Sequence, residues 1–215
     1  MLEIHHKPIV NSKQEKLNVA KCNYMIFTRS KTQFSTRLAI NNQALEKISA
    51  TKMLGLWISE DLSWSKNCKN ICQKAYSRMS MLTKLKYVGV ELEDLLEIYI
   101  LFIRSVAEYC SVVFHSTLTK EETYKIEKIQ KTSLKVILGV MYIDYPSALE
   151  MTGLDTLAAR REDRCLRFAL KSVKHSKMSR IFPLNPLQKS HNTRDKEVYQ
   201  VNFARTEDYR ISAIP

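Results

Sequence analysis

Glycine and proline are scarce in this sequence: four glycines and five prolines occur among 215 residues. Collagen-like and low-complexity chains are much richer in both, so these classes are excluded. A loop-rich all-β fold needs many turns, and turns use the same two residues, so this class is also disfavoured. The chain is instead rich in the helix-favouring residues Leu, Ile, Lys, Glu, Met and Ala. We therefore expect an α+β protein that is mainly α.

The sequence also lacks an uninterrupted apolar segment long enough to cross a membrane. Its longest apolar-rich stretch, residues 92–113, contains several charged residues and therefore predicts a buried helix. The first residues have no apolar core of the kind found in secretory signal peptides. The five cysteines are odd in number and widely scattered. We expect a reduced, intracellular protein that does not act at a membrane, with nucleus and cytoplasm equally open.

Motifs of known catalytic sites are missing as well. There is no glycine-rich phosphate loop, no G-x-S-x-G and no H-E-x-x-H, and no two aspartates are adjacent. Cys68 and Cys72 are one helical turn apart, but no second Cys/His pair has the spacing that would complete a zinc site. Because both cysteines fall on or near an apolar stripe, we interpret them as core residues. We predict no metal site, no catalytic residue and no small-molecule substrate.

Basic residues are in excess, with 34 Lys and Arg against 22 Asp and Glu, for a formal net charge of +12. The excess is interrupted by an acidic segment at residues 90–118. This distribution predicts a surface that meets polyanions on some faces only. A basic surface also keeps proteins soluble, so charge alone leaves the partner open.

Hydrophobic patterning divides the chain into four regions. We predict an irregular leader at 1–16, a short antiparallel β element within 17–60, a helical domain at 61–180 and a polar C-terminal tail at 181–215. The β element is indicated by three short runs, at 24–28, 37–40 and 51–58, with an Asn-Asn turn signal after the second. The helical domain is expected to be a bundle of about four helices.

The first predicted helix has one apolar face and one basic face. Its apolar residues recur at spacings of three and four: Trp64, Cys68, Ile71, Ala75, Met79 and Leu82. Its basic residues are expected on the opposite face: Lys66, Lys69, Lys74, Arg78 and Lys84. Asp61 or Ser63 is the expected N-cap, and Gly89 is the expected end.

Three further helices follow in the predicted bundle. Residues 91 to about 115 are apolar nearly all round and indicate a central buried helix. Thr119 and Glu122 form a capping box, which opens a helix that ends at Gly139. Its expected inward residues are Ile126, Ile129, Leu134 and Ile137. Asp155 is the expected cap of the last helix. That helix carries a second basic strip, which would contact nucleic acid or form a solvated face beside Glu162 and Asp163: Arg160, Arg161, Arg164, Arg167, Lys171 and Lys174.

Trp57 and Trp64 lie on either side of the junction between the last predicted strand and the first helix. Next to the basic helix face they would form a stacking platform for a nucleic-acid strand. They would equally serve to fix the β element against the helix. The candidate nucleic-acid-binding residues are therefore Trp57, Trp64, Lys66, Lys69, Lys74, Arg78 and Lys84.

Five phrases, in order along the chain, resemble a single family. They are LNVAKCNYMIF at 17–27, KMLGLWISEDLSW at 52–64, IRSVAEYC at 103–110, IEKIQK at 126–131 and ARTEDYRISAIP at 204–215. Phrases of this kind and order are similar to those of reverse transcriptases from non-LTR retrotransposons, and the last resembles the C-terminal phrase of jockey-like elements. The chain departs from the family at Cys22, where Thr is usual.

The resemblance implies that residues 17–60 are the end of a palm and that the helices are the thumb, which grips the template–primer duplex. It also implies that Lys21 matches the palm lysine thought to assist pyrophosphate departure. The turn at 54–57 matches the region that positions the primer end. The metal-binding aspartates of the family precede the first matching phrase. We therefore expect a truncated reverse transcriptase without polymerase activity of its own, and Mg²⁺ only in a full-length parent.

The expected partner under this resemblance is an RNA/DNA duplex, bound weakly and independently of sequence through its phosphates. The alternative is a helical protein–protein interaction module, in which the basic surface faces an acidic protein partner.

Overall fold

The computed structural model describes residues 18–27 and 37–175. The predicted leader and the whole predicted tail, with the phrase at 204–215, lie outside these residues. The chain divides into two compact units. A β unit comprises residues up to Thr51 together with Ser59–Leu62, and a helical unit comprises Lys52–Ile58 and the residues from Ser63 onward. The expected α+β fold, mainly α, is confirmed.

The β unit contains a 3-10 turn and very short strands. The turn is Val19–Lys21, and the strands are β1 (Asn23–Tyr24), β2 (Ala39–Ile40), β3 (Gln43–Ala44) and β4 (Glu46–Lys47). The β2–β3 pair is antiparallel, as expected, and is joined at the Asn-Asn turn. Both asparagines have positive φ, 50° and 60°, which this residue type tolerates. The β1–β4 pair is parallel, so a purely antiparallel element was the wrong prediction.

The last predicted strand is in fact a β-hairpin. Strands β5 (Ala50–Met53) and β6 (Leu56–Ser59) are neighbours in one sheet. Leu54 and Gly55, with φ of 47° and 89°, form the two-residue turn between them. Such a turn needs positive φ at both positions, which Gly adopts freely and Leu rarely does.

The helical unit contains helices of very different length. They are α1 (Ser65–Val88), α2 (Leu92–Ile98), α3 (Ser105–Glu108), α4 (Ser111–Phe114), α5 (Lys120–Leu138), α6 (Tyr145–Thr152) and α7 (Leu157–Val173). A π-helical segment, Tyr99–Arg104, joins α2 to α3. The long helices α1, α5 and α7, with the run from α2 through α3, match the expected four. Helix α6 was not expected.

The central helix ends earlier than predicted. It stops at Glu108, and Cys110 takes a left-handed conformation with φ of 51° before α4 begins. A residue with this φ cannot continue a right-handed helix, so the predicted single helix to about residue 115 is wrong. The apolar pattern could not show the break, because both sides of it are buried.

The helix ends follow the predicted signals in part. Gly89 ends α1 in a left-handed conformation, as predicted, but the N-cap position belongs to Trp64 and not to Asp61 or Ser63. The capping box of α5 is present, with Thr119 Oγ1 accepting from the Glu122 N–H at 3.1 Å, and Gly139 is the C-cap.

The cap of the last helix lies one residue later than predicted. The N-cap of α7 is Thr156, not Asp155, and its hydroxyl accepts from the Ala159 N–H at 3.1 Å. Glu127 of α5 caps the same helix from outside, accepting from the Leu157 and Ala158 N–H groups at 3.0 and 3.1 Å. Helix α7 is therefore joined to α5 by polar contacts as well as packing.

The apolar core lies mainly between α1 and α5. The predicted inward residues of α1, from Cys68 to Leu82, are buried, and the four predicted on α5 are fully buried. Complete burial of each such Leu or Ile contributes roughly 1.5–3 kcal/mol. Every buried hydrophobic residue in the described part of the chain lies between Leu56 and Leu157.

The basic strip of α7 is solvated only in part, since Arg164, Arg167, Lys171 and Lys174 are exposed. Arg160 and Arg164 both bind the buried carboxylate of Glu108, Arg164 at 2.7 Å. Arg161 is completely buried, and Arg167 pairs with Asp163 at 2.7 Å. Three of these arginines are therefore occupied by intramolecular ion pairs, and a fourth is inaccessible.

Candidate nucleic-acid interface

The β5–β6 hairpin is held against the helices by hydrogen bonds at two points. The Trp57 backbone N–H donates to Asn67 Oδ1 of α1 at 3.3 Å. The Tyr109 hydroxyl, just after α3, donates to the Leu54 carbonyl at 2.8 Å. A β-carbon on Gly55 would lie only 3.2 Å from Tyr109 Cε1, so the turn and the ring are in close contact. The phrases at 52–64 and 103–110 thus meet in space.

A cavity of about 380 Å³ lies between this turn, α1 and α3, and we call it the hairpin cavity. Its polar lining residues are Asn67, Asn70, Lys74, Arg78, Ser105 and Tyr109. None of the described residues that line it is acidic. The hairpin cavity is therefore rich in hydrogen-bond donors and positive in charge.

Asn67 is the most informative residue of the hairpin cavity. It is only 1% exposed, and its Oδ1 accepts from the Trp57 N–H. Its Nδ2 is buried without a hydrogen-bond partner among the described residues. A buried donor left unpaired costs about 1–3 kcal/mol. A lining residue with an unpaired N–H group favours a ligand that accepts hydrogen bonds.

Arg78 has a structural partner as well as a place in the hairpin cavity. Its Nη1 donates to the carbonyl of Phe102, which lies in the π-helical segment. A π-helical turn interrupts the ordinary i to i+4 ladder and leaves carbonyls available to other donors. Arg78 therefore stabilises the segment, while Lys74 has no hydrogen bond or ion pair among the described residues.

The predicted basic face of α1 is divided by the structure. Lys74 and Arg78 line the hairpin cavity, whereas Lys69 lines a second cavity between α1 and α5. Lys66 and Lys84 are exposed and line neither cavity. A helix turns about 100° per residue, so the five-residue spacing from Lys69 to Lys74 separates them by roughly 140°. The prediction of a single basic face is therefore wrong, because the basic residues lie on two flanks of α1.

The two tryptophans differ in their surroundings. The indole N–H of Trp64 donates to Thr117 Oγ1 at 2.8 Å, and its ring lies 5.9 Å from that of Phe114. These contacts favour a structural role for Trp64. Trp57 is half-buried, and the Lys66 ammonium lies 4.0 Å from its ring centroid. One face of the Trp57 ring is therefore already covered by a cation.

Sequence reasoning missed four polar residues of the hairpin cavity: Asn67, Asn70, Ser105 and Tyr109. The signal for the first two was present, because Asn67, Asn70, Lys74 and Arg78 recur at spacings of three, four and four. Such spacing places them on one stripe of a helix. No comparable signal exists for Ser105 and Tyr109, which are brought to the hairpin cavity by tertiary packing.

Lys21, the residue that matches the palm lysine of the resembling family, lies at the exposed end of the 3-10 turn in the β unit. The described residues contain no group of three or more His, Cys, Asp or Glu side chains able to hold a metal ion. No described helix is both long and apolar enough to span a membrane.

Comparisons of the chain with protein-family models, with curated proteins and with solved structures found no match.

Proposed function

We propose that the helical unit binds the phosphate backbone of a nucleic-acid duplex, as the thumb of a non-LTR reverse transcriptase does, and that the chain does not catalyse synthesis by itself. The observation that carries this proposal is the hairpin cavity, where the unpaired Asn67 amide lies beside Lys74 and Arg78. Two of the phrases that resemble the family supply part of the lining, Gly55 and Leu56 at one side and Ser105 to Tyr109 at another, and α1 supplies the remainder.

The donors of the hairpin cavity are suited to a phosphodiester. Its non-bridging oxygens accept hydrogen bonds and carry negative charge, which matches an amide N–H, an ammonium and a guanidinium. Contacts of this kind position a nucleic acid without reading its sequence. At the rim, the Leu54 side chain is 86% exposed and offers an apolar contact for a sugar or base. This arrangement supports a sequence-independent partner.

The direct test is the binding of a labelled RNA/DNA hybrid, followed by fluorescence anisotropy across a salt titration. Asn67→Asp keeps an oxygen for the Trp57 N–H but replaces the free amide N–H₂ with a negative oxygen. We expect it to weaken binding by about tenfold or more, the scale of a charge-assisted hydrogen bond. Lys74→Gln should weaken binding several-fold and reduce the salt slope by about 1.

Lys171→Gln is the matched control, because it removes one exposed lysine near the end of α7, outside the hairpin cavity. It should leave affinity almost unchanged, and thermal melting of all variants separates folding from binding. Equal affinities for the wild type, Asn67→Asp and Lys74→Gln would reject the assigned cavity. Template-dependent dNTP incorporation by the purified chain would overturn the non-catalytic part of the proposal.

The protein-interaction alternative predicts a different pattern in the same assay. It requires no retention on RNA or DNA, together with a complex with an acidic polypeptide that resists salt. A hybrid complex that weakens steeply with salt supports the proposed function, since phosphate contacts release counterions.

A further inference from the structure

The second cavity, on the other flank of α1, has its own chemistry. It is about 890 Å³ in volume, lies between α1 and α5, and is independent of the proposed nucleic-acid function. We call it the thiol cavity, because Cys68 and Cys72 both line it. Its charged residues are Lys69, Lys125, Lys128, Glu121 and Glu122.

Both carboxylates of the thiol cavity already have partners. Glu121 pairs with Lys125 at 2.6 Å. Glu122 accepts from the Ser65 hydroxyl at 2.8 Å and belongs to the capping box of α5. Lys69 and Lys128 are exposed and form no ion pair within the described residues. The charged groups of the thiol cavity that are free to bind a ligand are therefore the ammonium groups of Lys69 and Lys128.

The two thiols have different accessibility. Cys68 is 2% exposed, whereas Cys72 is only half-buried. A hydrogen bond from Cys68 lowers the pKa of Cys72 to about 7, and the nearby Lys125 charge acts in the same direction against the effect of burial. The same hydrogen bond, with burial, raises the pKa of Cys68. Cys72 is thus the more acidic and the more accessible of the two thiols. Both sulfurs border α5, at 3.8 Å from the Glu122 carbonyl for Cys68 and 3.8 Å from the Lys125 carbonyl for Cys72.

We propose that Cys72 is a site of reversible S-thiolation by a small acidic disulfide of the glutathione type. The Cys72 thiolate attacks one sulfur of the disulfide, whose S–S bond breaks as a new S–S bond to Cys72 forms. The released thiolate takes a proton from water. The disulfide is the oxidant, and its carboxylates face Lys69 and Lys128.

The geometry of the helix favours a lasting mixed disulfide. Residues four apart on a helix have β-carbons about 5–6 Å apart. A disulfide needs about 3.5–4.5 Å between its β-carbons. Cys68 can therefore not displace the bound thiol without distorting α1. We assign Cys68 as a positioning residue, which favours ionisation of Cys72.

The expected rate of reaction at Cys72 follows from the fraction of its thiol that is ionised. At pH 7 a thiol with a pKa near 7 is about half ionised, against about 1% for an ordinary thiol near 9. Lower basicity reduces intrinsic nucleophilicity by about tenfold over two pKa units. The net expectation is about fivefold faster reaction at Cys72 than at an ordinary exposed thiol, before the lysines are considered.

The experiment treats the full-length chain with oxidised glutathione at pH 7 and follows each cysteine-containing peptide by mass spectrometry. The exposed Cys110 serves as the internal reference. We expect Cys72 to react at least about fivefold faster than Cys110. The cationic disulfide cystamine should remove most of this preference, because Lys69 and Lys128 repel it. The double variant Lys69→Gln/Lys128→Gln should slow only the reaction with glutathione disulfide.

The pH profile tests the role of Cys68. Cys68→Ala should move the midpoint of Cys72 reactivity to higher pH, while Cys68→Ser, which keeps a donor, should restore much of the shift. Reaction at Cys72 no faster than at Cys110, or an equal preference for cystamine, would overturn the proposal. An intramolecular Cys68–Cys72 disulfide as the main product would overturn it too.

Discussion

Arg161 shows how a single residue can oppose the stability of this fold. Its side chain is completely buried, and none of its three guanidinium nitrogens has a hydrogen-bond partner among the described residues. Burial lowers the pKa of the guanidinium. A buried charge without a hydrogen-bonded partner is strongly unfavourable, whereas an apolar side chain of similar volume fills the same space without that cost.

We therefore predict that Arg161→Met raises the free energy of unfolding by about 1–4 kcal/mol, measured by urea denaturation. Arg160→Met is the matched control: it removes a partner of the buried Glu108 carboxylate and should destabilise the protein. Burial lowers the pKa of His115, and the nearby positive charge of Arg161 lowers it further. The pKa of His115 should therefore rise in Arg161→Met, as measured by NMR. Loss of stability in this variant would contradict the prediction.

At the scale of elements, the β5–β6 turn can be compared with the end of α1. Gly55 and Gly89 have almost the same φ, 89° and 90°, so alanine meets a similar backbone penalty at both. A β-carbon at Gly89 has no heavy atom within 4 Å, whereas at Gly55 it would press on the Tyr109 ring. The difference between the two variants therefore isolates the contact between the hairpin and Tyr109.

We expect Gly89→Ala to lower the free energy of unfolding by about 1 kcal/mol and Gly55→Ala to lower it by about 1 kcal/mol more. Gly55→Ala should also speed amide exchange in β5 and β6. The added β-carbon would push on the Tyr109 ring and strain its hydrogen bond to the Leu54 carbonyl. Equal costs at the two positions would show that the Tyr109 contact does not hold the hairpin.

The elements that the sequence could predict are those set by local chemistry. The capping box at Thr119 and the glycine after α1 are fixed by neighbouring backbone groups, so their signals are readable in a few residues. The turn at Leu54 and the helix break at Cys110 use positive φ in residues that seldom adopt it. At Leu54 a tertiary contact, the hydrogen bond from Tyr109, stabilises the turn, and no local pattern reports that contact.

The same distinction applies to the candidate site. The stripe from Asn67 to Arg78 follows from helical spacing, but its pairing with Ser105 and Tyr109 depends on how α3 packs. The division of the basic residues between two flanks of α1 was also readable from spacing alone. The burial of Arg161 was readable only in part: spacing places it on one helical stripe with Leu157 and Cys165, but an arginine is seldom fully buried.

At the scale of the whole molecule, the core is confined to one part of the chain. No residue described before Leu56 belongs to the buried hydrophobic set, and the strands β1 to β4 have only two residues each. Strands of this length contribute little stability by themselves. Within the described residues, the helical unit should therefore account for nearly all of the cooperative unfolding.

We predict that a fragment of residues 52–175 folds and unfolds in a single transition, with a free energy of unfolding within about 1 kcal/mol of that of a fragment of residues 18–175. It contains every buried hydrophobic residue of the described chain and both hydrogen bonds that hold the hairpin. The measurement is urea denaturation followed by circular dichroism. A fragment of residues 63–175 is the control: it lacks β6 and Leu56, leaves Asn67 without Trp57, and should lose about 2 kcal/mol. If the two fragments were equally stable, the hairpin would add nothing to the fold, and the cavity behind it would not be rigid enough to serve as a binding site.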